Sequence, residues 1–176
     1  MSQHTVNIQQ KPGIEPFFDS DSNTISYIVS DPDTKACAVI DSVLDFDYAA
    51  GRIFYDNADT QIDYIKKHKL SLEWIVETHV HADHLSAAPY LQEALGGKIG
   101  IGSNIIRIQN EFGKIFNEGT AFQRDGSQFD ALFEDGDTYQ IGNLSAFAIS
   151  TPGHTCLLYT SPSPRDATLS RMPSSA

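Results

Sequence analysis

Residues 1–155 read as a layered α/β domain, and three observations predict it. Strand-like and helix-like segments interleave along the chain in the order ββ, then α-β-α-β-α, then ββ, with no internal repeat. One short apolar run, Leu72–Glu77, has the composition of a strand buried on both faces. That run leads straight into a cluster of histidines, and the carboxyl end of a strand is where an α/β sheet usually presents its site residues.

The elements follow in order. Thr24–Ser30 and Ala36–Asp41 are β-rich and separated by Asp31-Pro32-Asp33, a turn sequence, which predicts an antiparallel hairpin. Val43–Asp59 holds Gly51 and several Asp and Asn residues and reads as an irregular loop. Thr60 is placed to cap a helix running to about His68, with Ile62, Ile65 and Tyr64 inward. A second helix is expected from His84 to Leu95, stopped by Gly96-Gly97. Lys98–Gly102 reads as a strand, and Ser103–Phe116 as a helix with Ile105, Ile108, Phe112 and Ile115 on one face. The turn Asp135-Gly136-Asp137 precedes two strands, Tyr139–Ile141 and Leu144–Ser150.

At 176 residues, 40% hydrophobic and 20% charged, the chain has the composition of one ordinary globular domain. Its net charge of −11 lacks the basic footprint that phosphate backbones require, which argues against a nucleic-acid partner. No run approaches the roughly 18 apolar residues of a membrane span, so no membrane partner is expected. The polar start, MSQHTVNIQQKPGIEP, lacks a signal-peptide pattern, and a cytoplasmic location is expected by default. Two cysteines, Cys37 and Cys156, are too few for a disulfide framework.

The segment CLLYTSPSPRDATLSRMPSSA, 156–176, changes character abruptly. It has no period and is rich in Ser, Pro and Arg. In one frame it back-translates to a transposon end, the adapter that follows it in sequencing libraries, and an outer adapter. It is therefore expected to be a non-native, disordered tail and is set aside from the fold.

The chemistry is concentrated at Thr78-His79-Val80-His81-Ala82-Asp83-His84. In extended chain His79 and His81 point the same way, while Asp83 and His84 sit at the turn that follows and face a second position. Neutral imidazoles with a carboxylate suit Zn²⁺ or Fe²⁺. A capping or surface role would explain one such residue, Asp83 above all, but not this density. Thr151-Pro152-Gly153-His154-Thr155, a turn after a strand, supplies a further imidazole. Metal ligands are thus expected at His79, His81, Asp83, His84 and His154. Asp41, ending a strand, is expected to support the motif loop by hydrogen bonding. Cys37, Trp74 and Tyr90 read as packing residues, and His4 and His68 as solvent-facing. Neither Arg107 nor Arg124 alone is expected to meet an acidic substrate.

These motifs resemble the metallo-β-lactamase superfamily over essentially all of residues 1–155. Within it, THVHADHLSAAPYL, DFDYAAGRIFYDN, RDGSQFDALFEDGD and STPGHT are similar to bacterial persulfide dioxygenases, with glyoxalase II as a neighbouring branch. The resemblance implies an αββα sandwich, of which this chain is the N-terminal part. In the dioxygenase pattern His79, His154 and a later Asp would hold one Fe(II), leaving open positions for O₂ and a substrate sulfur. In the glyoxalase II pattern His79, His81 and His154 would hold one Zn(II), and Asp83 and His84 the other, acidifying water to a pKa of about 7. Asp83 is the residue assigned a catalytic role. The later Asp is expected beyond Thr155, since Asp166 lies in the suspect tail and lacks the Gly-Asp strand context. The implied substrate is a small thiol persulfide, of the glutathione kind, or a thioester; the alternative expectation is that these 176 residues, lacking the later Asp, are an inactive truncated fragment of such an enzyme. Glyoxalase II-like sequences would carry a small residue such as Gly after Asp83-His84, where this chain has Leu85-Ser86-Ala87.

Overall fold

A computed structural model describes residues 11–119 and 121–152. Its central element is a six-stranded sheet in the order β1-β2-β3-β6-β8-β9. Strands β1 (Gly13–Asp19), β2 (Thr24–Ser30) and β3 (Ala36–Ile40) form an antiparallel meander. Strands β6 (Ser71–Glu77), β8 (Lys98–Gly102) and β9 (Ala131–Phe133) then add in parallel. Parallel neighbours need crossovers, and these are the helices α1 (Asp56–Lys67), α2 (Ala88–Leu95) and α3 (Ile105–Ile115).

Alternation along the strands gives the sheet two faces. Ile28, Cys37, Val39, Leu72, Ile75 and Ile99 point toward α1 and α2, whose Ala58, Ile62, Ile65 and Leu91 complete the main core. Tyr64 is only half buried and stacks on the exposed ring of His68. Cys37 lies fully inside this core, and burial, with the charge of Glu73, pushes its thiol up to about 12, so it is a packing residue. On the opposite face Ala36, Ala38 and Trp74 receive the hairpin β10 (Thr138–Ile141) and β11 (Leu144–Phe147). Three hydrogen bonds pin it there. Trp74 Nε1 donates to the Gln140 carbonyl (2.9 Å), and the backbone N–H groups of Gly142 and Asn143 donate to Glu73 and Asp31. This hairpin is a second β layer on the first sheet. By the strand register, Ile14, Phe18, Ile25 and Tyr27 continue the same face beyond the hairpin, and all four are exposed.

The structure corrects several expectations. Val43–Asp59 is not irregular. It forms β4 (Val43–Asp47) and β5 (Arg52–Phe54), turned where the Asp47 carboxylate accepts the N–H groups of Ala49 and Ala50, and then the first turn of α1. Thr60 caps nothing. It sits inside α1 and its hydroxyl donates to the Asp56 carbonyl one turn back, while Asp56 and Asp59 occupy the first turn, where the helix dipole favours acids. The second helix begins at Ala88 rather than His84, because Leu85–Ser86 form β7 and pair with β4. β1 was unanticipated: Pro16 argues against a strand, and it is tolerated because β1 is an edge. The three-residue β9 was missed as well. On α3, Ile105 is buried, but Phe112 and Ile115 are exposed, and Gln109 and Gly113 turn inward instead. Gln109 is satisfied there by Gln128 and the Gly126 N–H, and the Arg124 guanidinium crosses Gly113 to reach the Gly113 and Glu118 carbonyls. Arg124 is therefore committed within the fold.

Candidate metal centre

The histidine run leaves the carboxyl end of β6 and returns through β7 to α2, so the centre of the sheet carries it. Asp41 organises its start. It follows β3 in a left-handed conformation (φ 52°), which Asp tolerates better than most residues. Its carboxylate accepts the Thr78 N–H and the Thr78 hydroxyl, both at 2.7 Å, and faces His81 Nε2 at 3.0 Å. Asp41 thus supports the motif loop, as the sequence suggested.

These contacts assign the ring protons. With its hydrogen given to Asp41, the Thr78 hydroxyl oxygen accepts from His79 Nδ1 (2.9 Å). His81 Nε2 donates to Asp41, so Nδ1 carries the lone pair, 3.9 Å from an Asp83 oxygen. His84 Nδ1 donates to the Leu85 carbonyl (2.9 Å), which leaves Nε2 as an acceptor. That Nε2 is buried and has no hydrogen-bond partner among the described residues. A ligating histidine characteristically gives its other ring N–H to a carboxylate or carbonyl, and His81 and His84 both do so.

The run is compact. Ring centroids of His79 and His81 lie 4.0 Å apart, and those of His81 and His84 4.1 Å. Donor atoms of His81, Asp83 and His84 all fall within 4.8 Å of one another, as do those of Asp41, Glu77 and His81. The structure therefore brings together His79, His81, Asp83 and His84. His154 lies outside the described residues, as do His4, Asp166 and the whole of 156–176.

Electrostatics fit a cation site. Burial acts to lower the His81 pKa, but the Asp41 hydrogen bond and charge outweigh it and raise it overall. Burial, then His81's charge, outweigh the Leu85 contact and lower His84. Burial opposes ionisation of Asp83, yet its hydrogen bonds and the histidines hold it below the usual carboxylate range. Glu77, unremarked in the sequence, is 4% exposed and is pushed well up by burial and by Asp41. Its only sequence signal is a carboxylate ending the apolar Trp74–Val76 stretch directly before the histidine run. A cation among these groups would relieve several carboxylates and satisfy the orphaned His84 nitrogen at once.

Among the described residues three depressions border the loop, one of them, of about 360 Å³, lined by Glu77, His79, His81, His84 and Ser86. A cleft of about 260 Å³ lies between the run and the β4–β5 hairpin, lined by Asp19, Asp45, Phe46 and Tyr48 as well as His81, Asp83 and His84. On the other side an apolar groove of about 710 Å³ runs from Val80 and Ala82 to Phe112, Phe122 and Phe129.

A family model for the metallo-beta-lactamase superfamily matches residues 21–167, and the chain belongs to that superfamily. A probable metallo-hydrolase of Burkholderia pseudomallei is 51% identical over 148 residues, 83% of this chain and 50% of that protein. Glyoxylase B2 of Dictyostelium discoideum is 44% identical over 155 residues, 86% of this chain and 53% of that protein. The human mitochondrial persulfide dioxygenase ETHE1 is more distant, 26% identical over 81% of this chain and 44% of its own. Among solved structures, ETHE1 from Myxococcus xanthus superposes with a TM-score of 0.63 at 25% identity, covering 83% of this chain and 51% of that one. The chain spans about half the length of the curated relatives it matches. No helix among the described residues is long and apolar enough to cross a membrane.

Proposed function

We propose that the chain carries the metal site of a persulfide dioxygenase acting, in its full-length form, on a glutathione-type persulfide, with His79, His154 and a later Asp holding one iron and His81, Asp83 and His84 supporting it as neighbours. The observation that carries the metal reading is the buried, unpartnered Nε2 of His84, held among the donor atoms of His81 and Asp83. The choice of reaction is supported by the motif segments and by the similarity to ETHE1 proteins. Iron, when bound, supplies the redox chemistry by which a persulfide, O₂ and water become a thiol, sulfite and protons. The chain's own residues orient and exclude. Asp41 holds the Thr78 and His81 geometry, and Asp83, ionised beside the cleft, is placed to accept a proton.

A second reading, a thioester hydrolase with zinc, is favoured by the 44% identity to glyoxylase B2 and by the compact His81–Asp83–His84 group, which suits a second metal. One experiment separates the two. The protein expressed from the full length of its source gene is assayed for bound iron and zinc, for O₂ uptake with glutathione persulfide, and for cleavage of a glutathione thioester. Iron with persulfide-dependent O₂ uptake supports the first reading. Zinc with thioester cleavage and no O₂ uptake overturns it in favour of the second, and the absence of any tightly bound metal removes both. Reading the source gene across the Thr155 codon tests the companion proposal that 156–176 are adapter-derived: unrelated native sequence continuing these codons would refute it.

A further inference from the structure

We propose that Glu77 and Ser86 are positioning residues that close the base of the histidine loop and hold its ring nitrogens convergent; this deepens the metal reading above and rests on it. Glu77 is the last residue of β6, immediately before Thr78, and Ser86 is the last residue of β7, immediately before the approach to α2. The whole H-x-H-x-D-H run lies between them. The Ser86 hydroxyl donates to Glu77 Oε1 at 2.6 Å and accepts the Ala88 N–H at 3.0 Å, one of the helix donors that has no intrahelical partner. One hydroxyl thus ties the exit of the loop to its entrance and to the first turn of α2.

The other side of the clasp faces the site. Glu77 Oε2 is buried, has no hydrogen-bond partner among the described residues, and lies 3.6 Å from His81 Nε2. That nitrogen already donates to Asp41 Oδ1, so two carboxyl groups back one ring and leave its Nδ1 directed at Asp83 and His84. A carboxyl is a costly group to bury in a strand end where an apolar side chain would pack, and it persists only where it is used. β4 adds the outer support through the pairs Val43↔Ser86 and Leu44↔Leu85, so the loop is fixed at its exit by sheet pairing and at its entrance by Glu77.

The test compares the protein expressed from the full length of its source gene with its Glu77→Ala, Glu77→Gln, Ser86→Ala and double Glu77→Ala/Ser86→Ala variants. Two readouts are taken: ring ¹⁵N spectra of the histidines without added metal, and Co²⁺ affinity by chelator competition with the visible d–d bands recorded. The clasp predicts that Ser86→Ala and Glu77→Ala each weaken Co²⁺ binding about 10–100-fold and shift the d–d bands. The double variant should be no weaker than the worse single one, because both remove the same tie. Glu77→Gln, which keeps an acceptor for Ser86, should stay within about threefold of the parent. In the ring spectra the His81 Nε2–H signal should shift or broaden in both Ala variants, while Asp41 still holds that proton. Unchanged His81 spectra, or single losses that add in the double variant, overturn the clasp. If the parent binds no Co²⁺, the metal reading falls, and the ring spectra alone decide whether Glu77 and Ser86 position the loop. Ser86→Ala deletes a single oxygen, so it remains informative should Glu77→Ala fail to fold.

Discussion

Replacing Asp41 by Asn should move a proton on a histidine ring it does not touch. In the wild-type chain Asp41 Oδ1 takes the Thr78 N–H and faces His81 Nε2, while Oδ2 takes the Thr78 hydroxyl hydrogen. Asn supplies one oxygen and one NH₂. The oxygen must stand where two donors converge, so the NH₂ faces the Thr78 hydroxyl, which now accepts. Its freed hydrogen turns to His79 Nδ1, 2.9 Å away. His79 then changes tautomer and carries its proton on Nε2, the nitrogen that would bind metal. Asn tolerates the left-handed backbone at position 41, so the fold should survive. The affinity loss expected from a misassigned ligand tautomer is about 10–100-fold, or about 1.4–2.8 kcal/mol. Asp41→Ala differs in kind. It leaves buried donors unpaired, at about 1–3 kcal/mol, and puts Ala in a left-handed conformation for about 1–2 kcal/mol more. It should lower thermal stability as well as affinity. The assay is long-range ¹H–¹⁵N NMR of the rings, followed by Co²⁺ competition for the two variants. A His79 that keeps its proton on Nδ1 in Asp41→Asn would refute the relay through Thr78.

Two further perturbations test the seating of the second β layer. Gly142 turns the β10–β11 hairpin at φ +58°, and a Cβ there would collide with Thr34 Oγ1 and stand 2.6 Å from Asp31 Oδ2. Gly142→Ala should cost about 1–2 kcal/mol in backbone strain and about 1–3 kcal/mol in overpacking, a fall in Tm of about 10 °C. Trp74, the single tryptophan, donates to Gln140 in that hairpin, so its emission should shift to the red; unchanged emission and Tm would contradict the packing. The Asp31 carboxylate, held below its ordinary 3.8 by the Asn143 N–H and then the Thr34 hydroxyl, contributes stability that is complete above pH 3.8 and lost as pH falls through its folded pKa. Melting curves of the parent and Asp31→Asn should therefore converge in acid. A gap that stays constant from about pH 6 to below pH 3 would show that the charge is immaterial.

Much of this protein is legible along the chain. The β-rich runs Thr24–Ser30 and Ala36–Asp41, the apolar Leu72–Glu77 run and the Gly96-Gly97 stop are local signals, and the strands and helix end they indicate form nearly as read. The histidine spacing likewise marks a candidate cation site, because few other roles need so many imidazoles together. What failed did so for tertiary reasons. Pro16 obscures β1 unless its edge position is known, and β7 exists only because β4 passes beside it. Phe112 and Ile115 look like core from their helical spacing, but no element among the described residues covers them, while Gln109 is buried because Gln128 and Gly126 meet its amide.

The sequence by itself determined the layered α/β class and the histidines that follow one buried strand, while its motifs carried the resemblance to the superfamily. The first two follow from periodicity and residue chemistry, which act over a few neighbours; the parallel pairing at the centre of the sheet came from the structure. Only the tertiary structure decided which ring nitrogen each histidine offers, since Asp41 lies 37 residues from Thr78 and 40 from His81. It also decided that Glu77 and Ser86 meet across the loop. Hydrogen-bond direction depends on partners that chain folding brings together, and no local pattern encodes it.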